Sequence, residues 1–174
     1  MTVLVTTASK HGATREIAAE IARVLEEHSV PTELLDIDDV TELRSYEACV
    51  VGSGIYLGNW LKNARRFVDA HAAELSQRPT WLFASGSIVG APPVADDPEA
   101  LRPGLVESLV EATKAREHKL FAGKLDTGKL GLLERAAVRA AHASVGDQRD
   151  WDAIDRWAEE IAGQLGRSPE TSPS

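Results

Sequence analysis

Three short stretches of the sequence carry residue types that can hold a small ligand, and each follows an apolar, β-branched run. The first is Ser9-Lys10-His11-Gly12-Ala13-Thr14. A helix start offers unpaired N–H groups and the positive end of the helix dipole, so a phosphate can be bound there without a dedicated cation. Gly12 permits close backbone approach, and Ser9 and Thr14 add hydroxyl donors. The same two residues also suit simple helix capping. The sequence has no GxGxxG for a dinucleotide and no GxxxxGK[ST] for a nucleoside triphosphate, so a monophosphate ester fits this loop best.

The second stretch, Ser53-Gly54-Ile55-Tyr56-Leu57-Gly58-Asn59-Trp60, sets two aromatic residues beside two glycines in a chain that is only 5% aromatic. A flat heteroaromatic ligand needs such a wall, because offset stacking adds about 1 kcal/mol beyond area burial. Glycines beside it let backbone amides reach ring heteroatoms. Trp60 also opens the apolar stripe of the helix that follows, which assigns it to the core and leaves Tyr56 for stacking. The third stretch, Ser85-Gly86-Ser87 followed by Ile88-Val89-Gly90, lacks large polar side chains and offers backbone and hydroxyl donors to the polar edge of a ring. Gly and Ser mark ordinary exposed turns as well.

The elements around these loops alternate. Residues 2–8, 32–37, 48–53, 80–84 and 119–123 are short apolar or β-branched runs and read as strands. Residues 14–28, 61–75, 105–115, 130–142 and 151–165 keep helical spacing, with Asp150 as N-cap of the last. His28 and His71 fall on or beside apolar stripes and read as packing residues. Strands alternating with helices predict an α/β fold, a parallel sheet with helices on both faces and right-handed crossovers. In such sheets ligands bind at the carboxyl ends of the strands, where the winding direction switches, which is where the three loops fall. Residues 1–165 form one domain in this reading. The tail 166–174 has no apolar anchor and reads as disordered.

Composition removes several function classes. A net charge of −8 argues against general nucleic-acid binding. No apolar run is long enough for a transmembrane segment or a signal peptide core, so a cytoplasmic location is expected. The single Cys49 makes neither an internal disulfide nor a thiol pair, so redox chemistry has to come from a cofactor. A phosphoacceptor receiver would need acidic residues where Thr6-Thr7-Ala8 and Gly52-Ser53 stand. No metal site and no catalytic acid, base or nucleophile emerges.

Taken together, the three loops resemble those of the flavodoxin-like family, whose phosphate loop is usually T-x-T-G-x-T. Here Ser9 to Thr14 fills that loop, with His11 in place of a hydroxyl residue. The sequence is similar to the subgroup containing menaquinone-dependent protoporphyrinogen oxidase through Gly12-Ala13-Thr14-Arg15-Glu16-Ile17-Ala18, the loop up to Gly58, Phe121-Ala122-Gly123, Gly146-Asp147 and Asp150-Trp151. The resemblance implies a five-stranded doubly wound sheet of order 2-1-3-4-5 and bound FMN. Its contacts would be Ser9, Lys10, His11, Gly12, Ala13, Thr14, Ser53, Gly54, Ile55, Tyr56, Leu57, Gly58, Ser85, Gly86 and Ser87. It also implies electron transfer, as a carrier with a redox partner protein or as an oxidoreductase of protoporphyrinogen or quinone type. The match breaks off after Ala122-Gly123: that subgroup is rich in aromatic and basic residues where this chain reads Lys124-Leu125-Asp126-Thr127-Gly128-Lys129, so porphyrin or quinone recognition through that segment is not part of what the resemblance implies. The other reading is a flavodoxin-fold binding or regulatory module that has lost FMN and redox activity.

One local feature stands apart from the resemblance. Residues 119–142 hold five cations against two anions, and Arg135, Arg139 and His142 share a helix face. That segment suits an anionic substrate, an acidic partner or membrane headgroups, the last giving a peripheral membrane location. A solvated face without a ligand has the same pattern.

Overall fold

The computed structural model describes residues 1–56, 59–86, 104–125, 146–147 and 149–167. Five long parallel strands form the sheet: β1 Val3–Ala8, β2 Thr32–Asp36, β3 Ala48–Tyr56, β5 Thr80–Ser85 and β6 Glu117–Phe121, in the order β2-β1-β3-β5-β6. Counting these strands alone, the order is the expected 2-1-3-4-5. The register runs Val3 against Thr32 and Ala48, Cys49 against Thr80, and Trp81 against Glu117.

Both faces are covered, which is why the central strands read as continuous apolar runs without polar alternation. Helices α1 Ala13–Glu27 and α4 Trp151–Gly166 cover one face, packing Ile17, Ile21, Leu25, Ile154 and Trp157 on Val3, Val5 and Phe83. Helices α2 Lys62–Leu75 and α3 Leu105–Thr113 cover the other, packing Phe67, Val68 and Leu109 with Leu4, Val51 and Leu82. Asp150 caps α4, its Oδ1 accepting the Ala153 N–H at 3.0 Å. Such a cap is worth about 1 kcal/mol relative to alanine.

Several boundaries differ from those expected, each for a local reason. The segment 53–60, expected as a loop, is a hairpin: β3 continues to Tyr56 and β4 Asn59–Trp60 returns antiparallel, pairing Ile55 with Trp60 and Tyr56 with Asn59. The fifth long strand starts two residues earlier than its apolar content suggests. Glu117 Oε2 accepts the Trp157 Nε1–H at 2.8 Å, and the His118 ring lies 5.9 Å from that of Trp60, so two polar residues sit in the strand with partners across it. Strand β2 stops at Asp36, where Asp36 Oδ1 accepts the Asp38 N–H at 3.1 Å and a single 3-10 turn, Ile37–Asp39, begins. His28 is exposed at the end of α1 with Nδ1 3.0 Å from the Val24 carbonyl oxygen, whereas His71 packs on Phe67 at 4.6 Å between ring centroids. A small antiparallel pair, β7 Lys124–Leu125 with β8 Gly146–Asp147, was not expected. The expected helix over 130–142, the cations Lys129, Arg135 and Arg139, the loop residues Leu57, Gly58 and Ser87, and the tail beyond residue 167 lie outside the described residues.

Candidate functional site

Strand β1 is buried along its whole length and delivers the chain to Ser9 at the carboxyl edge of the sheet. There the Ser9 hydroxyl accepts the Gly12 N–H at 2.9 Å, folding residues 9–12 into a tight turn. Gly12 closes the turn at φ 89°, a conformation that side-chain-bearing residues adopt only with strain. A Cβ there would meet nothing within 4 Å, so backbone conformation rather than space requires the glycine. Helix α1 then begins without a side-chain cap. Its first main-chain bond runs from the Glu16 N–H to the Gly12 carbonyl at 3.1 Å, so the N–H groups of Ala13, Thr14 and Arg15 have no acceptor inside the helix. The result is an open, partially positive helix start. Lys10 is exposed and His11 half-buried beside it.

Thr14 connects this turn to the hairpin. Its side chain is buried, and a Cβ on Gly54 would lie 3.2 Å from its Oγ1. Within the hairpin Ser53 is fully buried and acts as a fastening: its Oγ donates to the Gly54 carbonyl at 2.8 Å and accepts the Leu61 N–H at 2.9 Å. That hydroxyl ties the end of β3 to the entry of α2. Ile55 is half-buried, the Tyr56 backbone pairs with Asn59, and Trp60 is core, 2% exposed.

The third loop meets the hairpin by backbone approach. The Gly86 N–H reaches the Phe121 carbonyl at 3.2 Å. A Cβ on Gly86 would stand 2.8 Å from Ile55 Cβ, and one on Gly123 would stand 2.7 Å from Gly86 Cα. The ends of β3, β5 and β6 are therefore in main-chain contact. Gly123, which the sequence places at the end of the expected strand 119–123, is not among the expected site residues, and the signal that could find it is the Phe121-Ala122-Gly123 match to the family. Ser85, at the end of β5, is 4% exposed and its Oγ has no hydrogen-bond partner among the described residues. A buried hydroxyl in that state costs about 1–3 kcal/mol until a partner arrives.

Of the expected contacts, the structure gathers Ser9 to Thr14, Gly54, Ile55, Ser85 and Gly86 along one rim, where β1 and β3 lie side by side and the crossovers change direction. Burial pushes the Cys49 thiol up to about 12, so it stays protonated near neutral pH. Among the described residues no group of three or more His, Cys, Asp or Glu side chains is placed to hold a metal ion, and no helix is long and apolar enough to cross a membrane. What the rim offers, among the described residues, is the N–H groups at the start of α1, a buried hydroxyl on Ser85 and close main-chain approach at Gly54 and Gly86.

Comparison with known proteins agrees with this geometry. A family model described as "Flavodoxin domain" matches residues 4–152. The protoporphyrinogen IX dehydrogenase [quinone] of Escherichia coli strain K12 is 24% identical over 176 residues, covering 93% of this chain and 95% of that protein. A flavodoxin from the domain Archaea superimposes with a TM-score of 0.64 at 18% identity, covering 96% of this chain and all of its own. The oxidised flavodoxin 1 of Bacillus cereus does so with a TM-score of 0.60 at 17% identity, covering 97% and 100%.

Proposed function

The chain belongs to the flavodoxin domain family, and from that membership and the rim geometry we propose that it binds FMN and exchanges electrons through it with a quinone. The observation that carries the reading is the uncapped start of α1 set directly against the Gly54 hairpin. The residues fit the group: among the described residues there are N–H groups with no acceptor inside the helix where a phosphate is needed, and a buried hydroxyl without a hydrogen-bond partner where the polar edge of a ring is needed.

In this reading the N–H groups of Ala13, Thr14 and Arg15, with the Thr14 hydroxyl, hold the phosphate. Lys10 and His11 border it through their backbone. Gly54 and Gly86 let main chain approach the ring edge, Ser85 Oγ hydrogen-bonds there, and Tyr56 supplies the stacking wall. Ser53 keeps the hairpin in place. FMN, when bound, supplies the one- and two-electron chemistry that no side chain here provides. The net charge of −8 opposes accumulation of negative charge at the site and so lowers the reduction potential.

Quinone is the proposed acceptor because the Escherichia coli relative, aligned over nearly the full length of both chains, is named for it. The test is to load the purified protein with FMN, reduce it anaerobically with dithionite and add menadione. Recovery of the oxidised flavin spectrum faster than with the same concentration of free FMN supports the reading. A protein that takes up no FMN is the cofactor-free module instead. One that holds FMN but does not outpace free flavin is a carrier for a protein partner.

A further inference from the structure

The feature left over is Arg149, which lies 136 residues from Ala13 in sequence yet reaches its carbonyl oxygen at 3.3 Å through Nη1. The same nitrogen pairs with the Glu16 carboxylate. On its other side the guanidinium grips Asp147 in a fork, Nη2 to Oδ2 at 2.6 Å and Nε to Oδ1 at 2.8 Å. Its plane lies over the Trp151 ring, 4.5 Å from the centroid. The side chain is only 3% exposed, unusual for an arginine on the outer edge of a fold. The guanidinium is fixed by five separate contacts, and its charge is locked in place, its pKa raised first by the hydrogen bond to Asp147.

Ala13 and Glu16 belong to the first turn of α1, the turn whose free N–H groups face the rim. Two carboxylates therefore stand within about one helical turn of that N-terminus, and without compensation they would repel an anion there. We propose that Arg149 is a positioning residue for phosphate recognition: it offsets one of the two negative charges of Glu16 and Asp147 and holds the first turn of α1 against the β8–α4 junction. This rests on the FMN reading above, but it concerns only the phosphate end of the ligand. The effect is on the choice between a phosphorylated and an unphosphorylated flavin, which a purely structural clamp would not alter.

The test compares FMN and riboflavin binding to flavin-free protein by quenching of flavin fluorescence. Arg149→Met is expected to lower FMN affinity about tenfold, the effect of one uncompensated charge at that range in partly screened solvent, while riboflavin affinity stays within about twofold. Adding Glu16→Gln to Arg149→Met recovers most of the loss without restoring the cross-link. Glu16→Gln alone, which keeps the arginine and serves if Arg149→Met does not fold, raises FMN affinity about threefold relative to riboflavin. Loss of both ligands together in Arg149→Met, or an unchanged FMN-to-riboflavin ratio in Glu16→Gln, overturns the proposal. If the wild-type protein binds neither flavin, the FMN reading fails, and inorganic phosphate decides separately. Amide shifts at residues 13–15 on phosphate titration that weaken in Arg149→Met uphold the role of Arg149, and no shifts in the wild type overturn it.

Discussion

The hydroxyl of Thr14 stands 3.2 Å from the position a Cβ on Gly54 would take. That spacing leaves little room for a methyl group between the start of α1 and the end of β3. Gly54→Ala presses on a threonine that is itself buried. The expected result is an overpacking cost of about 1 kcal/mol in denaturant unfolding, with FMN affinity reduced about fivefold in a fluorescence titration, as a displaced donor hydrogen bond would give.

Ser85→Ala should separate stability from binding. The Ser85 Oγ is buried without a partner among the described residues, so removing it from the ligand-free protein relieves an unsatisfied polar group. Thermal unfolding of the flavin-free variant is expected to move up by about 0.5–1 kcal/mol, while the bound flavin loses a hydrogen bond of about 1 kcal/mol. A variant less stable than wild type without flavin would show that the hydroxyl already has a structural task.

At Gly52 the constraint is packing alone. A Cβ there would fall 2.2 Å from Phe83 Cζ, and the Phe83 ring cannot retreat because Phe121 and Trp157 meet it edge-on at 6.1 and 6.0 Å. Gly52→Ala is expected to cost about 2–3 kcal/mol in urea unfolding. The double variant with Phe83→Leu should be less destabilised than the two single costs added together, because they share one volume.

Acid stability should report on His118. Burial holds its ring below the ordinary imidazole range, with the charge of Glu107 opposing that shift. The unfolded chain therefore takes up the proton first as pH falls, and the stability contributed by the neutral ring is complete above the unfolded value near 6.5 and is lost as pH drops through the lower folded one. Its Nε2 has no hydrogen-bond partner among the described residues, and the ring packs against Trp60. His118→Phe keeps the packing and removes the proton site, so its Tm should fall less than that of wild type between about pH 7 and pH 5. Parallel Tm curves for the two proteins would contradict this.

The sheet was largely readable because burial on both faces leaves an unmistakable pattern: Val3, Leu4 and Val5 are each fully buried, as are Trp81, Leu82 and Phe83. Helix α1 was equally plain, since Ile17, Ile21 and Leu25 recur on one face. The order of the strands came from the family resemblance, not from periodicity. The hairpin was not legible, because Ser53, Gly54 and Gly58 read as a loop and what folds it back is one hydroxyl accepting from Leu61. Strand β6 was misplaced since Glu117 and His118 are polar, and their partners, Trp157 and Trp60, lie far off in sequence. The pair β7 and β8 is two residues long on each side, too short for any period to show. At the site, residue types pointed to Gly12, Thr14, Gly54 and Ser85. Nothing in the local sequence marks Arg149, because its contacts, Ala13 and Glu16, lie at the other end of the chain.

The most direct measurement is an equilibrium titration of flavin-free protein with FMN, followed both by flavin fluorescence and by backbone amide shifts. Saturation at one FMN per chain, with the largest shifts at Ala13, Thr14, Arg15, Gly54, Ser85 and Gly86, is the result expected. Saturable binding whose shifts avoid those residues, or no saturable binding at all, would contradict the account.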